Sequence, residues 1–219
     1  MKYLIFDSSS IITLALNDLL YILEPLKKKF KGEFLIPYSV QEELIDNPIK
    51  TKRFMLEALM IKKLILNNTL KVYPRNPELV KKEKQFLEIA NHTFFSHKTP
   101  IELIHKGESA CLALYSLLDG EKSLVIDERT TRVLCEAPDN LRKLMESRLH
   151  KKIHPERKNY EFFKGINIIR SCELALIALK KKIIDLPATQ KEVIRAILYA
   201  EKFKGCSISE KEILSLNSI

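Results

Sequence analysis

Glycine is scarce, with 5 in 219 residues, and tryptophan is absent. No glycine-rich phosphate loop can be found, which counts against a nucleotide-binding fold. There is no Ser/Gly-rich or Gln/Asn-rich stretch either, so the whole chain reads as folded. The cysteines number 4 (Cys111, Cys135, Cys172 and Cys206) and lie far apart. Without a C-x-x-C pair they predict no zinc site, and three of them sit in apolar runs as free core cysteines do. Nothing in this pattern suggests an oxidised, secreted protein. The histidines (His92, His97, His105, His150 and His154) lack H-x-x-x-H spacing on an apolar helix and read as surface or loop residues. No run reaches the ~18 uninterrupted apolar residues of a membrane span. The N-terminal MKYLIFDSSSIITLAL is apolar, but Asp7 breaks it, whereas a signal peptide carries no acid in its hydrophobic region. The expectation is a cytoplasmic protein without membrane contact.

What is present is a 46% hydrophobic chain with a formal net charge of +9 and a pI near 9.3. The apolar share is enough for a sizeable core. The basic balance points towards a polyanion partner such as nucleic acid, although lysine-rich composition also accompanies growth at high temperature.

Short continuous apolar runs alternate with helical periodicity. Residues 2–6, 33–36, 70–74, 123–126 and 165–169 read as strands, the first ending at Asp7 and the fourth at Asp127. Residues 9–30, 51–66, 77–91, 108–119, 130–136 and 171–185 read as helices. Another starts near Ser39, which lies in capping-box spacing with Glu42, and ends before Pro48. The pairs Thr189/Glu192 and Ser209/Glu212 open two more helices near the C-terminus. Strands alternating with helices predict an α/β fold, a three-layer α/β/α sandwich around a central parallel sheet. The predicted organisation is a domain over 1–186, containing a basic insertion at about 137–162, followed by a helical extension over 187–219.

Four carboxylates stand out. Asp7 and Asp127 both end apolar strands, and open parallel sheets bind ligands at the carboxyl ends of their strands. Either alone is explained as the cap of the next helix; as a pair they suggest a shared site. Glu108 follows Gly107 in the first turn of a helix, where the helix dipole favours an anion. Glu43 shares a helical face with Val40 and Leu44, an unusual setting for a charge that has no partner, against the plainer reading of an exposed glutamate. Carboxylates gathered closely need a cation, and oxygen-only donors suit Mg²⁺ or Mn²⁺.

The segments FDSSSII, PYSVQEEL, KGESACLALYSLL and LVIDERTTR, in that order, resemble the PIN-domain family, which includes the VapC ribonuclease toxins. Asp7-Ser8-Ser9-Ser10 resembles the first acid and its Ser/Thr-rich turn. Pro37, Val40, Glu43 and Leu44 resemble the P-x-x-V-x-x-E-L-like stretch of the second acid, and Gly107-Glu108 the helix start of the third. Asp127-Glu128 with Arg132 resembles the fourth. FKGINIIRSCELALIALKKKIID is similar to the closing strand and helix. The resemblance covers about 2–136 and 163–186. It implies one or two divalent ions held by Asp7, Glu43, Glu108 and Asp127, with Ser9 as a supporting turn hydroxyl and Glu128 as an additional ligand or supporting group. It further implies endonuclease activity on RNA by metal-activated water, a homodimer, and an antitoxin protein as candidate partner. Known toxins of this type are shorter, and residues 137–162 and the segment after Asp185 have no counterpart.

The insertion carries Arg142, Lys143, Arg148, Lys151, Lys152, Arg157 and Lys158, with Tyr160, Phe162 and Phe163 behind them. Basic residues interleaved with aromatics can grip a single strand; a solvated surface helix is the plainer reading. Arg132, Arg148, Lys151 and Lys152 are the expected RNA contacts. A non-catalytic RNA- or protein-binding module is the competing reading. A strand-end aspartate phosphatase is disfavoured, because Ser9 stands where a second aspartate is required.

Overall fold

The computed structural model describes residues 1–216; the last three residues of the expected extension (217–219) lie outside them. In chain order the elements are β1 (Lys2–Phe6), α1 (Ser8–Leu16), α2 (Leu23–Phe30), β2 (Glu33–Pro37), α3 (Tyr38–Gln41), α4 (Met55–Leu66), β3 (Lys71–Tyr73), α5 (Pro77–Asn91), β4 (Phe94–Ser96), β5 (Thr99–Pro100), α6 (Lys106–Leu117), β6 (Glu121–Val125), α7 (Arg129–Glu136), α8 (Pro138–Leu149), β7 (Ile153–Pro155), β8 (Ile168–Ile169), α9 (Ser171–Lys180), α10 (Gln190–Phe203) and α11 (Glu210–Leu216). Five strands form one sheet in the order β3-β2-β1-β6-β8, and every neighbouring pair is parallel. The fold is α/β, consistent with a three-layer α/β/α arrangement.

The strand order positions the site. From β1 the chain winds outwards through β2 to β3, then returns to the other side of β1 for β6 and β8. The reversal lies between β1 and β6, and such switch points open a crevice beyond the strand C-termini. Asp7 follows β1 and Asp127 follows β6 by two residues, so both stand at this crevice. The register Phe6↔Val125 sets the two strand ends side by side, and Asp7 N–H donates to Val125 O at 3.0 Å. Ile5, Phe6, Ile36, Val125 and Ile126 are wholly buried beneath it, as expected of strands covered on both faces.

Several expectations need correction. The helix expected over 9–30 is two helices meeting at 114°. Asn17 ends α1 and Asp18 takes a left-handed conformation (φ +57°), which stops the helix and redirects the chain. Among the described residues no single helix is long and apolar enough to cross a membrane. Ser39 is not a cap: it lies inside α3, buried, with its hydroxyl unpaired. After α3 the backbone widens into a π-type turn over Glu42–Asp46, closed by Asn47 N–H to Glu42 O at 3.0 Å.

Residues 94–100, which carried no expectation, form a second sheet, β5-β4-β7, antiparallel throughout. Its third strand comes from the 137–162 segment, so that segment is woven into the fold. Leu141 is buried in the main core, Phe163 is wholly buried beside Phe86, and Tyr160 packs edge-on against Phe94. Of the three aromatics expected to stack on bases, only Phe162 is exposed.

The C-terminal helices α10 and α11 pack on α9 through a small separate core of Cys172, Ile194, Leu198, Cys206, Ile208 and Ile213. Both expected capping boxes form, at Thr189/Glu192 and Ser209/Glu212.

Candidate metal centre

Asp7 is 2% exposed and caps α1. Its Oδ2 accepts from Ser9 N–H at 3.0 Å and from Ser9 Oγ–H at 2.6 Å. Its Oδ1 is buried and has no hydrogen-bond partner. Glu108 lies in the first turn of α6, where its Oε2 accepts from His105 N–H at 3.1 Å. Glu43 rides on the π-type turn and is exposed, while its neighbours Leu44 and Ile45 are buried, so it does not share their inward face. A turn of this kind adds a residue to the helical repeat and re-aims the side chains it carries.

These three carboxylates lie near enough to feel one another's charge. Asp7 is pushed up to about 7, first by burial, then by the charge of Glu108, with Glu43 adding less; the two Ser9 hydrogen bonds pull the other way. Glu43 is raised by partial desolvation and by Glu108, against a hydrogen bond from Ser8 and the nearby Lys106 and His105. Gly107 makes the approach of α6 to Glu43 feasible. A Cβ there would stand 2.8 Å from Glu43 Oε1 and 2.9 Å from Oε2.

Asp127 is wholly buried and directs both oxygens elsewhere. Oδ1 accepts from Ser171 N–H at 2.8 Å, and Oδ2 lies 2.6 Å from Ser171 Oγ. Its link to Asp7 runs through Ser9, whose Oγ accepts from Asp127 N–H at 3.1 Å while donating to Asp7. Glu128 is likewise committed: its two oxygens cap α7, accepting from Thr130 N–H at 2.8 Å and Thr131 N–H at 2.7 Å. Four orphan N–H groups at a helix start make this the stronger local demand on its carboxylate.

Of the expected RNA contacts, Arg132 is spent inside the protein. It donates to Ser207 O at 3.2 Å and pairs with Glu136. Arg148, Lys151 and Lys152 are exposed at the end of α8 and in the turn that follows. Arg148 borders a cleft of about 480 Å³ that also touches Arg129 and Glu128.

Two groups escaped the sequence reading. Glu83 on α5 is raised by desolvation, with Lys106, Arg75 and Glu42 around it, and it adds a carboxylate to the rim. The spacing of Leu79, Glu83, Phe86 and Ala90 could have placed it on the inward face. Glu201 on α10 is wholly buried and raised to about 8 by burial, against a hydrogen bond from Ser171 and with Asp127 adding to the rise. It stands on the apolar stripe Ile194, Ile197, Leu198, where a charge is itself a signal.

Oxygen-only donors have the chemistry of a hard cation's ligands, but among the described residues Asp7, Glu43 and Glu108 do not bring three ligand atoms within 4.8 Å of one another. Asp7 has a buried, unpartnered carboxylate oxygen and lies within electrostatic reach of Glu108 and Glu43, and Asp7 and Glu108 stand at the N-termini of α1 and α6. An oxygen-only set of this kind holds Mg²⁺ or Mn²⁺, with water completing the shell. Comparison with protein-family models, curated proteins and solved structures gives no match.

Proposed function

We propose that this chain is a divalent-metal-dependent endonuclease of PIN-like type, with RNA as its substrate and Asp7, Glu43 and Glu108 as the ligands of Mg²⁺ or Mn²⁺. The supporting observation is the unpartnered Asp7 Oδ1, buried at the switch point of a parallel sheet beside two other carboxylates. An ion bound there supplies an acidified water and offsets charge on the phosphodiester.

The protein's own groups have distinct parts in this reading. Ser9 fixes the Asp7 rotamer through two hydrogen bonds. Ser171 holds Asp127, whose backbone N–H in turn orients Ser9, so Asp127 acts as a positioning residue behind the ligands. Lys106 pairs with Glu42 at 3.1 Å and tempers the negative rim against which an anionic strand must come. The exposed Arg148, Lys151 and Lys152 supply phosphate contacts. A homodimer and an antitoxin partner belong to the same proposal.

Calorimetric titration of Mn²⁺ into the wild type and Asp7→Asn tests it without knowledge of the substrate sequence. Binding by the wild type alone, together with Mn²⁺-dependent cleavage of single-stranded RNA that Asp7→Asn abolishes, is the expected result. Equal Mn²⁺ binding by both proteins overturns the metal site and leaves a non-catalytic binding module.

A further inference from the structure

A second cluster lies on the far side of Asp127, where the C-terminal helices meet α9. Cys172 Sγ, Cys206 Sγ and a carboxylate oxygen of Glu201 all lie within 4.8 Å of one another. All three residues are buried, at 0%, 3% and 0% exposed. The oxygens of Glu201 differ in their surroundings. Oε2 lies 2.5 Å from Ser171 Oγ, whereas Oε1 is buried with no partner. A buried polar atom without a partner is costly, by about 1–3 kcal/mol, and calls for an explanation.

The local backbone is built to hold this arrangement. Cys206 N–H donates to Glu201 O at 2.9 Å, which folds the chain after α10 back beside Glu201. The fold-back needs Gly205 at φ +139°, and a Cβ there would come within 2.6 Å of Thr13 Oγ1 on α1. Arg170, 7% exposed, stands next to Cys172 and pairs with Glu173 and Glu212. It supplies positive charge beside a centre of two thiolates and a carboxylate around a dication.

We propose that Cys172, Glu201 and Cys206 form a second metal centre, for a thiophilic divalent ion such as Zn²⁺, which fastens the C-terminal helices to α9. Two sulfurs and one oxygen are a zinc-type donor set, unlike the oxygen-only set around Asp7. The three donors and a water make four ligands. Uptake of the ion releases both thiol protons to solvent, together with the proton that Glu201 holds below about pH 8, so that it joins as its carboxylate. A core as small as the one joining these helices is where proteins use a metal as a staple. The wide spacing of the cysteines concealed the centre, because its ligands come from two helices and the loop after the second. The centre does not rest on the nuclease reading: it shares no proposed ligand with the acidic cluster, although Ser171 touches both Glu201 and Asp127.

The test uses the full chain, stripped with a chelator and kept reduced by a phosphine. Cd²⁺ serves as a spectroscopic probe and Zn²⁺ as a ligand in thermal melts. A single equivalent of Cd²⁺ gives a thiolate-to-metal absorption band, and Zn²⁺ raises the Tm. Both responses are lost in Cys206→Ala and retained in Asp7→Asn, which separates this centre from the acidic one. Glu201→Gln, which keeps both thiols and the side-chain volume, weakens Cd²⁺ binding by about 10-fold or more, at least what removal of an outer-shell group costs. It serves as the readout if Cys206→Ala does not fold. The proposal is overturned if stoichiometric Cd²⁺ gives no thiolate band, if the band survives in Cys206→Ala, or if Glu201→Gln binds as the wild type does. A protein mass two hydrogens light, with Cys172 joined to Cys206, overturns it as well.

Discussion

Ser9 directs both its backbone N–H and its hydroxyl at a single oxygen of Asp7, Oδ2, at 3.0 and 2.6 Å, so that Oδ1 is left without a partner. The same hydroxyl accepts from Asp127 N–H at 3.1 Å. One side chain thus spaces the ends of two strands and sets the rotamer of the buried acid.

Ser9→Ala removes both functions of that hydroxyl. Asp127 N–H loses its acceptor, and Asp7 loses a hydrogen bond that stabilises its ionised form. The expected stability loss is about 1–3 kcal/mol, read by chemical denaturation. Because Ser9 lowers the Asp7 pKa, its removal raises that pKa, and Mn²⁺ binding shifts to higher pH. Unchanged pH dependence of Mn²⁺ binding would show that Ser9 does not control Asp7.

Asp7→Asn gives a stability effect whose sign is set by linkage. Asp7 titrates near 7 in the folded chain against 3.8 ordinarily, so the folded state holds a proton that the unfolded state releases. Its contribution is therefore complete below about pH 4 and is lost as pH rises to 7, an effect on the order of 4 kcal/mol. Metal-free Asp7→Asn is expected to exceed the wild type in Tm at pH 8, with the advantage shrinking towards pH 4. Saturating Mn²⁺ reverses the order, because only the wild type gains from the ion. A wild type whose metal-free Tm is flat from pH 5 to 8 contradicts the raised Asp7.

Gly107→Ala separates site geometry from stability. The added methyl would meet Glu43 Oε1 at 2.8 Å, the mobile end of a long side chain, which can swing aside. Alanine also suits a helix better than glycine, by about 1 kcal/mol. Stability is expected to hold or rise while Mn²⁺ affinity falls about 10-fold or more, on the scale seen when a supporting contact at a metal site is lost. Unaltered Mn²⁺ affinity would place Glu43 outside the coordination shell.

The parts of the fold legible in the sequence are those that leave local patterns. Apolar runs ending at Asp7 and just before Asp127 mark parallel strands, and the spacings Thr189/Glu192 and Ser209/Glu212 mark the starts of α10 and α11. The direction of Asp127 was not legible, because its partner Ser171 lies 44 residues on and Ser171 meets Glu201 another 30 residues further. No periodicity records such contacts. The cap made by Glu128 was hidden for a related reason: an acid beside a strand-end aspartate suits either a ligand or a cap, and the N–H groups of Thr130 and Thr131 draw its oxygens in this structure. The β4–β7 pairing joins short strands far apart in sequence, neither of which alternates for long enough to be recognised.

Arg148, Lys151 and Lys152 carry the last prediction. All three are exposed just before strand β7, which pairs with β4. Arg132, by contrast, is tied to Ser207 and Glu136, and removing it disturbs the docking of the tail more than any strand contact. The triple variant Arg148→Ala/Lys151→Ala/Lys152→Ala should therefore keep its Tm and its Mn²⁺ affinity while losing affinity for single-stranded RNA. Each lost phosphate contact lowers the slope of log K against log salt by about 0.7, so a drop of about 2 is expected if all three contribute. The loss should be uniform across RNA sequences, since phosphate contacts carry no base information. Binding isotherms at several salt concentrations read this directly. An unchanged salt slope places the RNA path elsewhere on the basic surface, away from the α8 tip.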